Sequence, residues 1–131
     1  MRRMLPADAL RDVSILVVED DLDTCVLYER ALTAAGANVR TASSVEGALG
    51  LLAAARPDVV LCDLHLPEAD GYALLEQVRA DPALAGIPII AISGSHPELE
   101  HDRALAAGFA RHLPKPSKLH EIVTAVADLA A

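Results

Sequence analysis

The stretch Val59-Val60-Leu61-Cys62-Asp63-Leu64-His65-Leu66-Pro67 decides the fold. Four apolar residues in a row read as a strand buried on both faces, as parallel strands are, and the run stops at a carboxylate, Asp63. A second apolar run, Val13 to Val18, stops the same way, in Glu19-Asp20-Asp21. Ligands of open parallel sheets gather beyond the carboxyl ends of the strands, so two acidic strand ends are expected to meet at one place.

Outward from these two runs, strand and helix signals alternate. A helix over about 23–35 is closed by Gly36 and followed by a strand over 38–42. Ser43-x-x-Glu46 has capping-box spacing and opens a helix that puts Val45, Ala48, Leu49 and Leu52 on one face; Arg56-Pro57-Asp58 ends it. Beyond Asp63, the loop from Leu64 to Asp70 leads into a helix with Leu74, Leu75 and Val78 inward, stopped by Asp81-Pro82. A strand over 87–92, a helix over 97–107 closed by Gly108, a strand over 109–113 and a helix over 117–130 complete the series. The last helix spaces Leu119, Ile122, Val123 and Val126 at three and four. The helix at 97–107 has a thin apolar face, Leu99, Leu105 and Ala106, which predicts a mobile element. Five strand-then-helix units in alternation predict a doubly wound α/β sheet with right-handed crossovers, helices on both faces. Residues 1–12 carry no clean period and are expected to be a leader or linker; the domain is placed at 13–130.

Composition narrows the function. A chain of 131 residues has the size of one domain with one core. With one Phe, two Tyr and no Trp, it has no platform for stacking bases, and a formal charge of −8 disfavours a polyanion partner. Cys25 and Cys62 have no metal-ligand spacing and read as reduced, buried thiols, which fits a cytoplasmic protein. Although Met1-Arg2-Arg3 is basic, Pro6 and Asp8 break off any signal core, and no run approaches membrane-spanning length.

Polar groups fall at or just past the strand ends: Glu19-Asp20-Asp21, Asp63, Ser93, and Lys115 before Pro116, with His112 three residues earlier. Carboxylates forced together repel, and a hard divalent cation bound by oxygen, such as Mg²⁺, relieves this. Lys115 and the Ser93 hydroxyl would face that cation across a gap suited to phosphate. Asp21 reads as a loop-shaping or helix-capping residue. His96 and His101 are five apart and miss the one-face spacing of four used for zinc, and His120 reads as solvated.

In this order, Ile15-Leu16-Val17-Val18-Glu19-Asp20-Asp21, Asp63-Leu64-His65-Leu66-Pro67 with Asp70-Gly71, Ile92-Ser93-Gly94 and Lys115-Pro116 make the chain resemble the receiver domain of bacterial two-component response regulators, over about 13–130. Gly108-Phe109-x-x-His112-x-x-Lys115-Pro116 is similar to receivers in or beside hybrid histidine kinases. The resemblance implies a flavodoxin-like five-stranded parallel sheet of order 2-1-3-4-5. It also implies a phosphoacceptor, Asp63, charged by a phosphohistidine of a kinase or histidine phosphotransfer protein. Mg²⁺ would be held by Asp20 directly, Glu19 through water, Asp63, and the backbone carbonyl of His65. Ser93 would be the switch hydroxyl and Lys115 the partner of the phosphoryl group, with Lys115-Pro116 a candidate cis peptide. The His65 side chain would rise near that group. Two positions depart from the pattern: His112 stands where the family often has an aromatic switch residue, and Ser117 where an aromatic often follows the Lys-Pro pair. Phosphorylation would shift the face between the fourth strand and the fifth helix and so change the affinity of a downstream protein effector. The resemblance implies no direct contact with nucleic acid or membrane, no separate enzyme substrate, and a monomer or a weak phosphorylation-dependent dimer. Two rivals are a phosphatase using an aspartyl-phosphate intermediate and a receiver fold that binds partners unphosphorylated. The first expects a second Asp two residues after the nucleophile, where this chain has His65. The second expects a degraded acid, hydroxyl and lysine set, which this chain keeps.

Overall fold

A computed structural model describes residues 6–94 and 96–130, apart from the side chain of residue 97. Its elements run β1 (Ser14–Val18), α1 (Leu22–Ala34), β2 (Asn38–Ala42), α2 (Val45–Ala54), β3 (Val59–Asp63), α3 (Gly71–Ala80), β4 (Ile89–Ser93), α4 (Pro97–Ala107), β5 (Arg111–Pro114) and α5 (Leu119–Ala130). The five strands form one parallel sheet in the order β2-β1-β3-β4-β5, the doubly wound arrangement expected.

Every residue of β3 and β4 is buried, which is why these strands read as unbroken apolar runs. Alternate side chains feed two cores. Leu16, Val18, Val60, Cys62, Ile89 and Ala91 belong to the core shared with α2 and α3, while Ile15, Val17, Val59, Leu61, Ile90 and Ile92 belong to the one shared with α1 and α5. Cys25 and Cys62 are free and lie in different cores. Burial pushes the Cys62 thiol far up, so it stays a neutral core group. Among the described residues no helix is long and apolar enough to cross a membrane.

Helix starts follow short polar side chains. Asp21, Ser44 and Asp70 each accept a hydrogen bond from the backbone N–H three residues on, at Thr24, Gly47 and Ala73. The cap of α2 is therefore Ser44, one residue later than the capping box predicted from Ser43 and Glu46. Asp21 has the capping role expected of it. At Gly71 a Cβ would lie 2.9 Å from the carbonyl oxygen of Asp63 and 3.1 Å from Leu64 Cα, so α3 can start directly beneath the end of β3 only with glycine there.

One expectation needs correction. The face of α4 is not made by Leu99, Leu105 and Ala106: Leu99 is 75% exposed, Leu105 and Ala106 are also exposed, and Glu100 and Ala104 turn inward instead. The helix packs through a polar residue and a small one, four apart on one face. Residues 1–5 of the expected leader lie outside the described residues. Residues 6–12 form a turn whose Leu10 is fully buried in the α1/α5 core, with its N–H donating to the carbonyl of Ala35 at 2.8 Å. Residues 6–12 thus pack against the α1/α5 core through Leu10.

Candidate functional site

Parallel register brings the polar strand ends together. Val18 pairs with Cys62, so Glu19 follows beside Asp63; Asp63 pairs with Ile92, so Ser93 comes one step further; Ser93 pairs with Pro114, and the N–H of Lys115 donates to the Ser93 carbonyl at 2.8 Å. The Lys115–Pro116 bond is cis.

Within this cluster Glu19 is 2% and Asp63 7% exposed, while Asp20 is exposed. The ammonium of Lys115 bridges the two buried acids, 2.6 Å from Glu19 Oε1 and 2.8 Å from Asp63 Oδ2. The remaining oxygens accept from the backbone: Asp63 Oδ1 from His65 N at 2.9 Å and Glu19 Oε2 from Asp21 N at 3.2 Å. Burial raises the Glu19 carboxyl above its ordinary value, against the pull of Lys115 and the Asp21 amide, and the neighbouring Asp63 charge adds to the rise. Burial would lower Lys115, but its hydrogen bonds to Asp63 and Glu19 outweigh it, and the ammonium is held above the ordinary lysine range. Side-chain oxygens of Glu19, Asp20 and Asp63 all lie within 4.8 Å of one another. An all-oxygen set with two or three carboxylates open on one side fits Mg²⁺, which keeps several waters, better than a softer metal.

Next to the acids, between α1 and the start of α5, is a hollow of about 390 Å³ lined by Thr24, Leu27, Tyr28, Lys115, Ser117 and Leu119. Leu27 and Leu119 are exposed in its lining.

Ser93 and His112 also come together. Fully buried Ser93 places its Oγ 2.7 Å from Nε2 of His112, which is itself buried. On its other side, His112 Nδ1 lies 3.2 Å from Nδ1 of His101, the rings edge-on with centroids 5.3 Å apart. The His65 side chain reaches α4, with Nε2 3.1 Å from Glu100 Oε1, and the Tyr72 hydroxyl donates to Glu100 Oε2 at 2.7 Å. Arg103 lies over the Tyr72 ring, 4.3 Å from its centroid, and Phe109 meets that ring edge-on. Burial, then Glu100, pushes the Tyr72 hydroxyl up to about 12. Sequence reading brought together Asp63, Glu19, Asp20, Ser93, Lys115 and His112 but not Glu100 or His101. Their roles depend on how α4 sits against β5, and no local spacing announces that.

The chain matches the response regulator receiver domain over residues 15–127. It is 36% identical over 117 residues to an uncharacterized 14.6 kDa protein of Leptolyngbya boryana, covering 89% of each. It is 37% identical over 113 residues to the DNA-binding transcriptional regulator NtrC of Klebsiella pneumoniae, covering 84% of this chain but 23% of that protein. Among solved structures, a putative response regulator from Chloroflexus aurantiacus superposes with a TM-score of 0.87 at 32% identity, covering 92% of this chain and 98% of that one. The geometry of the acids, the hydroxyl and the lysine, together with these likenesses, places the chain in the family of response regulator receiver domains.

Proposed function

We propose that Asp63 takes a phosphoryl group from a phosphohistidine on a partner kinase or phosphotransfer protein, in a reaction that needs Mg²⁺. The observation that carries this reading is the Lys115 ammonium lying between Glu19 and Asp63, within hydrogen-bond reach of both. An Asp63 oxygen forms the new bond to phosphorus as the phosphorus–nitrogen bond of the donor breaks, and the departing imidazole takes its proton from water. There is little covalent work for the protein, so positioning and charge neutralisation supply the rate. The His65 N–H orients the Asp63 carboxylate, and Lys115 moves its hydrogen bonds to the arriving phosphoryl oxygens. Ser93, one step beyond Asp63 across the sheet, turns its hydroxyl to the same group. Glu19, Asp20, Asp63 and the His65 carbonyl would hold Mg²⁺, Glu19 through water, and the ion would supply charge neutralisation there.

The donor enters past the exposed Leu27 and Leu119, in the hollow that Lys115 also lines. The charge of −8 and the scarcity of aromatic residues fit a protein partner rather than direct contact with nucleic acid, and two free, buried cysteines fit a cytoplasmic setting. No separate substrate is turned over, because the place of a second catalytic Asp is held by His65, whose ring is paired with Glu100.

Intact mass tests the reading. With Mg²⁺ and a small phosphoramidate donor, the chain gains one phosphoryl group and Asp63→Asn gains none. Failure of the wild type to label, or to bind beryllofluoride, overturns it, and steady turnover of small phosphomonoesters would favour the phosphatase instead.

A further inference from the structure

We propose that Ser93, His112 and His101 form a hydrogen-bonded relay whose direction reverses when Asp63 is phosphorylated, so that the state of Asp63 is read at an imidazole on α4. The inference rests on the phosphoacceptor reading of Asp63 and deepens it.

The two contacts of His112 impose the logic. Its Nε2 faces the Ser93 hydroxyl at 2.7 Å and its Nδ1 faces a second ring nitrogen, His101 Nδ1, at 3.2 Å. Neutral imidazole carries one N–H and one lone pair, so fixing one nitrogen of His112 fixes the other, and hence fixes His101. His112 is suited to a neutral role: burial and the neighbouring His101 hold it below its ordinary value, with Glu100 opposing more weakly.

A buried hydroxyl proton needs an acceptor, because leaving one unpaired is costly. With Asp63 unmodified, the partner of the Ser93 hydroxyl is His112 Nε2. Ser93 therefore donates to Nε2, His112 donates from Nδ1 to His101 Nδ1, and His101 carries its own proton on Nε2.

Phosphorylation offers Ser93 a stronger, charged acceptor. Once its proton turns toward the phosphoryl group, a lone pair of Oγ would face the lone pair of Nε2. The contact survives only if His112 is protonated on Nε2 instead. One proton leaves Nδ1 through His101 to water and one arrives at Nε2 from water, so the ring stays neutral and the proton count is unchanged. His101 then donates from Nδ1, and its Nε2 changes from donor to acceptor. Because His101 is exposed, that change is presented to a partner without either ring having to move. His112 and His101 act here as positioning residues.

Nitrogen-15 NMR of histidine-labelled protein, with and without beryllofluoride and Mg²⁺, reads each ring nitrogen directly. The expected result is His112 protonated at Nδ1 and His101 at Nε2 in the free protein, with both reversed by the phosphoryl mimic. Wild-type protein that binds the mimic yet keeps the same His112 tautomer, protonates both nitrogens, or loses the Ser93 contact by ring rotation overturns the relay while leaving the Asp63 reading intact. Protein that fails to label overturns the Asp63 reading itself, and the tautomers of the free protein still test the resting direction of the relay.

Discussion

Replacing Lys115 with Met removes one charge and keeps most of the stem, and the structure sets what should follow. The ammonium lies 2.6 Å from Glu19 and 2.8 Å from Asp63, and both acid side chains are almost wholly buried. Stripping one partner from a buried ion pair costs about 3–5 kcal/mol. Two features reduce this: a quarter of the lysine side chain is exposed, and Glu19, already raised by burial, can take up a proton once the ammonium is gone. A loss of about 2–3 kcal/mol remains, roughly 8–12 °C in melting temperature for a domain of this size. Metal should close the gap, because the variant's carboxylates no longer share their oxygens with an ammonium, and a ligand at a hundred times its Kd stabilises by about 2.7 kcal/mol. Urea unfolding of Lys115→Met against wild type, first in chelator and then in Mg²⁺, should show the difference narrowing to under about 1 kcal/mol. The exposed Lys118→Met is the control and should stay within about 0.5 kcal/mol of wild type.

The direction with pH is equally specific. Lys115 has its value raised in the fold, so its contribution is complete below the ordinary lysine value of 10.5 and is lost as pH rises through the folded value. Glu19 is also raised, so the fold favours its protonated form and is penalised as pH rises above the ordinary 4.5. Without Lys115 that penalty grows, and the variant should recover ground on wild type as pH falls toward 5. A variant as stable as wild type in chelator, or a deficit that Mg²⁺ leaves unchanged, would refute the account of the acid cluster.

Three further outcomes follow from particular contacts. Leu10→Ala should cost about 2–4 kcal/mol in urea unfolding, because Leu10 is fully buried in the α1/α5 core; a neutral result would mean the N-terminal turn is not docked. Gly71→Ala should lose about 1–3 kcal/mol, since its Cβ would press on the backbone of Asp63 and Leu64, whereas Gly50→Ala, with nothing within 4 Å inside α2, should gain about 0.5–1 kcal/mol in the same assay. His112 is lowered in the fold, so its neutral form stabilises fully above the ordinary 6.5 and less as pH falls through that value toward the folded one. The stability advantage of wild type over His112→Asn should therefore shrink below pH 6.5, and an advantage flat from pH 7.5 to 5 would contradict the burial of a neutral ring.

Legibility in the sequence tracked how local the cause was. β3 and β4 were readable because a strand covered on both faces must be apolar at every position, and no partner need be known to see it. The ends of helices were less readable: Ser43 and Ser44 both offer a capping oxygen, and the turn into α2 chooses the second. For α4 the reading picked the wrong side. Leu99 and Leu105 were the apolar residues available, but the inward face is Glu100 and Ala104, whose polar member is accepted because Tyr72 and His65 supply hydrogen bonds from α3 and the loop after β3.

By itself the sequence determined an alternating α/β chain with acids, a hydroxyl and a lysine at the strand ends, because hydrophobic period and chain order are properties of neighbouring residues. The tertiary structure alone decided that Lys115 lies between Glu19 and Asp63, ninety-six and fifty-two positions away, and that His112 is held between Ser93 and His101. Those contacts are set by the register of parallel strands and by the seating of α4 on β5. Both are fixed only when distant segments pack, so no short stretch of sequence contains them.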